Sequence, residues 1–229
     1  MRVYIGHDSK EARSFKLAMA SAQSFGCRAE GIYDDRLRTS GMLTRPMDTR
    51  GQLWDIHSGA PQSTRFAIAR FFTPLLAHSG WCLFTDCDVV FLRDPKLLVP
   101  YMDQRYAVMV VKHVLGQVGG TKMDNQVQTN YPRKLWSSVI LFNCDHPGNR
   151  RLNLQMLNAW PGRDLHAFNW LADEEIGSLP GEWNWLVGLQ DKPADPAIAH
   201  YTLGTPELVP DCDHADIWHD AARKHLGKY

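Results

Sequence analysis

The sequence predicts an α/β fold, one domain over residues 1–229 with a mostly parallel central sheet flanked by helices. Two observations carry that prediction. Short apolar runs of strand length alternate with amphipathic stretches along most of the chain, the pattern from which strand–helix–strand units build a parallel sheet. The composition agrees: 229 residues, 44% hydrophobic and 22% charged, suit a single globular core that buries most of the surface its unfolded chain exposes.

Arg2 to Gly6 reads as a short buried strand. Glu11 to Phe25 reads as an amphipathic helix with Ala12, Phe15, Met19 and Ala22 on one face, closed by Gly26. Arg28 to Tyr33 is a second strand. Asp34 to Pro61 mixes Gly, Ser, Thr, Arg and two prolines with weak periodicity, so a long loop or lid is expected at 34–61, with Trp54 and His57 near its end. Ser63 can cap a helix running through Phe66, Ala69 and Phe72 to Pro74, where it must kink or restart. Trp81 to Thr85 is a buried strand, and Asp94-Pro95 starts a short helix. Tyr106 to Lys112 and Ser138 to Asn143 are further strands; Gly148 to Trp160 and Asp164 to Leu171 read as helical. Ligands of such a sheet bind beyond the carboxyl ends of its strands, which points to loops near residues 6–9 and 86–88.

The 25 basic and 25 acidic residues, with a pI near 7.1, argue against a nonspecific nucleic-acid coat. Net zero conceals local fields: residues 126–163 hold five basic residues and one acid, whereas 205–222 hold five acids and no Lys or Arg. No stretch approaches the ~18 apolar residues that span a bilayer, and Met1 to Gly6 has no apolar h-region. The five cysteines, at 27, 82, 87, 144 and 212, form no CxxC pair and read as free thiols of a reducing compartment. A cytoplasmic location is the resulting expectation.

The strongest local signal is Asp86-Cys87-Asp88, placed where the apolar run Trp81 to Thr85 ends. Side chains two apart in extended backbone point the same way, so the two carboxylates can converge on one cation, Mg²⁺ or Mn²⁺ held against a diphosphate. The plainer alternative is a pair of acids capping a turn. Asp211-Cys212-Asp213 repeats the tripeptide without a preceding strand and precedes a helical stretch from Ala215, so its acids belong to a helix start. His200 closes a short apolar run, and its borderline nitrogen as a third ligand would favour Mn²⁺ over Mg²⁺; otherwise it is a core histidine.

Three further features can be read both ways. Gly6-His7-Asp8 leaves the first strand where nucleotides bind, yet Asp8 and Glu11 also make a capping-box pattern. Arg70 interrupts an apolar stretch and needs a carboxylate or phosphate, through a structural ion pair or a ligand. Asp173-Glu174-Glu175 marks a solvated helix start, or in a cleft supplies a base, nucleophile or cation stabiliser.

Together these residues resemble a metal-dependent glycosyltransferase of the GT-A (Rossmann-like) fold, in particular glycosyltransferase family 8 and its relatives. The matching pieces follow in order: Gly6-His7-Asp8; Ser63-Thr64-Arg65-Phe66 to Arg70; Phe84 to Asp88; Trp136-Ser137-Ser138 to Asn143; Asp173-Glu174-Glu175-Ile176; and His200-Tyr201-Thr202-Leu203-Gly204. The resemblance implies that Asp86, Asp88 and His200 hold a divalent ion, usually Mn²⁺ with Mg²⁺ as the alternative, against the diphosphate of a nucleotide sugar. It places Gly6, His7 and Asp8 along the nucleotide, Arg70 near the donor sugar or phosphate, and Ser137 and Ser138 beside the sugar. Cys87 and Gly204 join this nucleotide-sugar-binding set. Asp173 and Glu174 match the catalytic pair facing the transferred sugar. The implied donor is a UDP-hexose, and retention of anomeric configuration is implied with it.

Two departures stand out. Family members commonly carry an amide where Glu174 stands, and a carboxylate there could act as a nucleophile or stabilise a cationic centre more strongly. The family's phosphate-binding lysine is absent after Gly204; Lys122 or the arginines at 36, 38, 45 and 50 are candidate substitutes. The acceptor is not specified: glycan, lipid, protein and small molecule all remain open, and a modified DNA base finds no support in a neutral chain. Two other readings compete with the transferase. A sugar-phosphate nucleotidyltransferase would need a Gly-rich basic loop after the first strand, which is missing here. An inactive nucleotide- or carbohydrate-binding module would not need Asp86, Asp88 and His200 intact.

Overall fold

The computed structural model describes residues 1–48, 53–114, 133 and 135–227. β1 (Arg2–Gly6) is buried beyond its first residue. Asp8 then caps a single 3-10 turn, accepting the Lys10 N–H at 3.0 Å, and the chain enters α1 (Ala12–Ser24). Gly26, at φ +72°, ends that helix in a left-handed conformation open to glycine at little cost. β2 (Arg28–Ile32) follows, then α2 (Asp34–Thr39), whose first-turn Asp34 pairs with Arg38 at 2.7 Å.

The 34–61 segment is more regular than its composition suggests. After α2 come three two-residue strands, β3 (Met47–Asp48), β4 (Trp54–Asp55) and β5 (Ala60–Pro61), paired antiparallel as a small sheet. Arg45 and Asp55 tie it to the body of the protein: both side chains are 1% exposed and form an ion pair, and the guanidinium also donates to the carbonyls of Leu157 and Trp160. Strands this short have no periodicity to read, so only their pairing defines them.

Residues 69–72 form a 3-10 turn running into α3 (Thr73–Ala77). β6 (Trp81–Thr85), β7 (Val89–Phe91), β8 (Val108–Val110) and β9 (Val139–Asn143) come next. The helical stretch expected at 148–160 divides at Asn153, whose extended backbone and side-chain cap on the Met156 N–H start α4 (Leu154–Ala159). That expected at 164–171 shortens to α5 (Gly162–His166), because Phe168 takes a left-handed φ of 56°. β10 (Ile176–Ser178), β11 (Trp185–Leu186), β12 (Ile198–His200) and α6 (Ala215–Leu226) complete the chain.

The central sheet has six strands in the order β10-β8-β9-β6-β1-β2. β1 runs parallel to β2 and β6, and β8 parallel to β10; β9 alone is reversed against both its neighbours. The sheet is therefore mostly parallel, as expected, with one inverted strand. Its interior residues Val3, Ile5, Leu83, Phe84, Val108, Ile140 and Phe142 are fully buried and form the main core with Phe71, Phe72 and Leu165. Each such aliphatic or aromatic side chain contributes about 1.5–3 kcal/mol by leaving water. A second sheet, β11-β12-β7, packs with α6 around Trp185, Tyr201 and Trp218. The chain crosses from the first sheet to the second between β6 and β7, at Asp86-Cys87-Asp88.

Candidate active site

Two sheets meet at this crossing. The Asp86 N–H donates to the Ser138 carbonyl at 2.9 Å, anchoring the end of β6 to the start of β9. On the other side β7 pairs antiparallel with β12 so that Val89 lies opposite His200, and the Tyr201 N–H donates to the Asp88 carbonyl at 2.9 Å. That register sets His200 beside Asp88 across 112 residues of sequence. One ligand atom from each of Asp86, Asp88 and His200 lies within 4.8 Å of the others.

The donor set fits a divalent cation. His200 Nε2 is buried without a hydrogen-bond partner among the described residues and lies 3.3 Å from Asp88 Oδ1. Arg70, 5% exposed, offers the opposite charge from the far side, its NH1 2.8 Å from Asp86 Oδ1. Two hard oxygens and one imidazole nitrogen suit Mn²⁺ and also accept Mg²⁺.

His200 is held from behind. Its Nδ1 lies 2.9 Å from Asn184 Oδ1, and Asn184 Nδ2 reaches Ser138 Oγ at 3.0 Å and His113 Nε2 at 2.9 Å. Burial, with His200 nearby, lowers the His113 pKa to about 4, so this imidazole is neutral at pH 7. Neither Asn184 nor His113 lies in a sequence motif. The pairing of Leu186 with His200 between β11 and β12 brings Asn184 to the site.

Arg70, Asp86, Asp88, Ser137 and Ser138 line one cleft of about 310 Å³, which the 58–64 segment also lines. Arg163 and His166 of α5, not singled out from sequence, line it too. His166 Nδ1 is 2.7 Å from Ser137 Oγ, and burial together with Arg70 lowers its pKa well below the usual imidazole range. Arg70 also donates to the carbonyls of Ser137 at 2.8 Å and Ala67 at 3.1 Å.

The remaining sequence candidates occupy other surroundings. A Cβ on Gly6 would meet the Phe66 ring at 2.4 Å, so the missing side chain there accommodates Phe66. His7 packs against Phe15 and Tyr33, with centroids 4.9 and 4.6 Å away. Asp8 engages both carboxylate oxygens with backbone, accepting from Lys10 and, at 2.9 Å, from the Arg65 N–H. Cys87 is fully buried and donates to Glu11 Oε2 at 3.3 Å; burial, then Glu11, pushes its pKa well up. Gly204 adopts φ +126°, and a Cβ there would meet Val209 at 2.6 Å. Asp173 is exposed and paired with Arg133, and Glu174 is exposed beside it; neither lines the cleft.

Among the candidate substitutes for the absent lysine, Arg36 lies over Tyr33 at 4.0 Å, Arg38 pairs with Asp34, and Arg45 is committed to Asp55. Arg50 and Lys122 lie outside the described residues. The second Asp-x-Asp, at 211–213, occupies the turns before α6, whose N-cap is His214.

No protein-family model matches the chain. Its sequence is 39% identical over 228 residues to Protein CDI of Arabidopsis thaliana, covering 95% of this chain and 84% of that protein. Among solved structures, it superposes on the galactosyltransferase LgtC in complex with donor and acceptor sugar analogs with a TM-score of 0.59 at 16% identity, covering 100% of this chain and 98% of that one. The bifunctional glycosyltransferase WbbM matches with a TM-score of 0.61 at 17% identity, over 96% of this chain and 49% of its own. The glycosyltransferase GlyE of Streptococcus pneumoniae matches at 0.59 and 14% identity, over 96% of this chain and 59% of its own. These likenesses establish the GT-A type of fold, and by sequence the chain belongs to the family of Arabidopsis Protein CDI.

Proposed function

We propose that this chain is a metal-dependent glycosyltransferase that moves a hexose from a nucleotide-diphosphate sugar, a UDP-sugar, to an acceptor hydroxyl with retention of configuration. The convergence of Asp86 and Asp88, which line the cleft, with the buried His200 behind them in a GT-A fold carries this reading. Mn²⁺ is the proposed ion; when bound it stabilises, as a Lewis acid, the negative charge that develops on the departing diphosphate. Arg70 holds Asp86 in place and presents positive charge to the same cleft, and the polar edge formed by Ser137 and His166 suits sugar hydroxyls. Ser58 to Pro61, the end of the 34–61 segment read as a lid, line the same cleft, and their proposed part is to shut water away from the donor. Gly6, His7, Asp8, Cys87 and Gly204 remain the proposed nucleotide-side set, contributing through backbone where their side chains are committed elsewhere. Asp173 and Glu174 remain the proposed carboxylates at the reacting carbon.

No helix among the described residues is long and apolar enough to cross a membrane. All five cysteines are free thiols, which accords with a reducing compartment, and we propose the cytoplasm. The deciding experiment screens nucleotide-sugar hydrolysis with Mn²⁺, Mg²⁺ or chelator, alongside Asp88→Ala. Loss of a metal ligand should remove several kcal/mol of stabilisation, a drop of about 10²-fold or more. Absence of turnover with every donor and metal, or a mutant equal to the native protein, refutes the proposal.

A further inference from the structure

We infer that Asn184 is a positioning residue for His200: it fixes the imidazole as the Nδ1–H tautomer and keeps the Nε2 lone pair aimed at the space beside Asp88. The inference rests on the metal reading of this site only in what the lone pair is for. The tautomer follows from hydrogen bonding alone.

Ser138 decides which way the Asn184 amide points. Its hydroxyl donates to the Leu135 carbonyl at 2.8 Å, so its one proton is committed and Oγ has only lone pairs left to offer. The side-chain amide of Asn184 lies 3.0 Å from that oxygen. Were the amide turned over, its carbonyl oxygen would face an oxygen with no proton to give, deep in the interior where an unmatched acceptor is costly. Nδ2 therefore faces Ser138, and its second N–H points at His113 Nε2, 2.9 Å away. His113 is neutral at pH 7 and accepts there with its own proton on Nδ1; that proton needs the Gln190 side chain, 3.2 Å away, to present its amide oxygen in exchange for the long 3.3 Å bond from the Leu186 N–H.

With Nδ2 so placed, Oδ1 must face His200 Nδ1 at 2.9 Å. An amide oxygen only accepts, so the proton sits on Nδ1 of His200 and Nε2 keeps its lone pair. Asn184 is completely buried and His200 is 1% exposed, so water does not compete for either group. The lone pair then confronts Asp88 Oδ1 at 3.3 Å without a hydrogen bond. An imidazole lone pair and a carboxylate oxygen repel unless a cation lies between them. Outer hydrogen bonds of this kind orient metal-bound histidines in general, and removing one costs about 10–100-fold in metal affinity.

The test has two arms on the full chain. Nitrogen-15 NMR of the metal-free native protein at pH 7.5 is expected to show His200 protonated at Nδ1 and bare at Nε2. An Nε2–H tautomer or an imidazolium overturns the inference outright. In the second arm, free Mn²⁺ is titrated by EPR against the native protein, Asn184→Leu and Asn184→Asp. Leu removes the acceptor and should weaken binding about 10–100-fold while letting His200 populate both tautomers. Asp keeps an acceptor oxygen for His200 but sets its second oxygen against Ser138 Oγ, so it should bind more tightly than Leu and less tightly than native. If Leu binds as tightly as native, or leaves His200 wholly in the Nδ1–H tautomer while folding by circular dichroism, Asn184 has no positioning role. Failure of the native protein to bind Mn²⁺, with the NMR result as expected, removes the metal proposal and leaves the tautomer assignment standing.

Discussion

Arg70→Met isolates the charge balance of the cleft. The guanidinium is 5% exposed, lies 2.8 Å from Asp86 Oδ1, donates to the Ser137 and Ala67 carbonyls, and sits 5.2 and 5.4 Å from the Phe66 and Phe84 ring centroids. Met can fill much of that volume and keep the rings packed, but it removes the charge and every donor. Stripping one partner from a buried ion pair costs about 3–5 kcal/mol. Asp86 keeps 14% exposure of its side chain, which favours the low end, while the stranded Ser137 carbonyl adds ~1 kcal/mol. A total of about 3–5 kcal/mol corresponds, for a chain of this length, to a Tm lower by about 6–20 °C. Scanning calorimetry in EDTA measures that drop. Repeating the scan with Mn²⁺ supplies a cation next to Asp86, so the variant should gain more from the metal than the native protein does. A drop below ~1 kcal/mol would show that Arg70 does not neutralise a buried charge. Equal stabilisation of both proteins by Mn²⁺ would separate Arg70 from the metal.

Acid sensitivity should trace in part to His113. Its folded pKa, lowered to about 4 by burial and then by His200, lies below the unfolded value of about 6.5, so between these values the unfolded chain binds the extra proton. Stability from this group is complete above pH ~6.5 and falls as the pH drops, by up to about 2 kcal/mol at pH 5. His166, whose pKa is lowered in the same direction, adds to the fall. Urea unfolding of His113→Gln at pH 7.5 and 5 should show a flatter dependence; an unchanged slope would mean that His113 is already charged when folded. Glu174→Gln tests the proposed catalytic pair: if Glu174 acts on the sugar, the rate falls at least ~10²-fold, whereas an unchanged rate and product anomer would remove it from the mechanism.

What could be read from sequence was whatever a contiguous stretch encodes. Val3 to Ile5, Cys82 to Phe84 and Val139 to Phe142 are apolar runs of strand length, and they are the buried cores of β1, β6 and β9. Nothing in such a run tells its direction, so the inversion of β9 became visible only in its register with β6 and β8. Asp86 and Asp88 were legible because they follow a strand, and His200 because it ends one. Asn184, His113 and His166 were not, since each reaches the site through pairings between distant elements and carries no spacing signal. The small sheet at 47–61 was hidden for the same reason, its strands being two residues long.

Cys87 shows how the crossing between the two sheets decides more than the motif that drew attention to it. The chain bends at Cys87 and Asp88 between β6 and β7, so that Asp86 and Asp88 line the cleft while Cys87 turns into the core. There Cys87 meets Glu11 at 3.3 Å in the interior, where burial and then the neighbouring carboxylate keep the thiol protonated. A ligand in the cleft can therefore meet Cys87 only through its backbone. The middle position of this Asp-x-Asp answers to the core beneath it, and the acids on either side answer to the charge above.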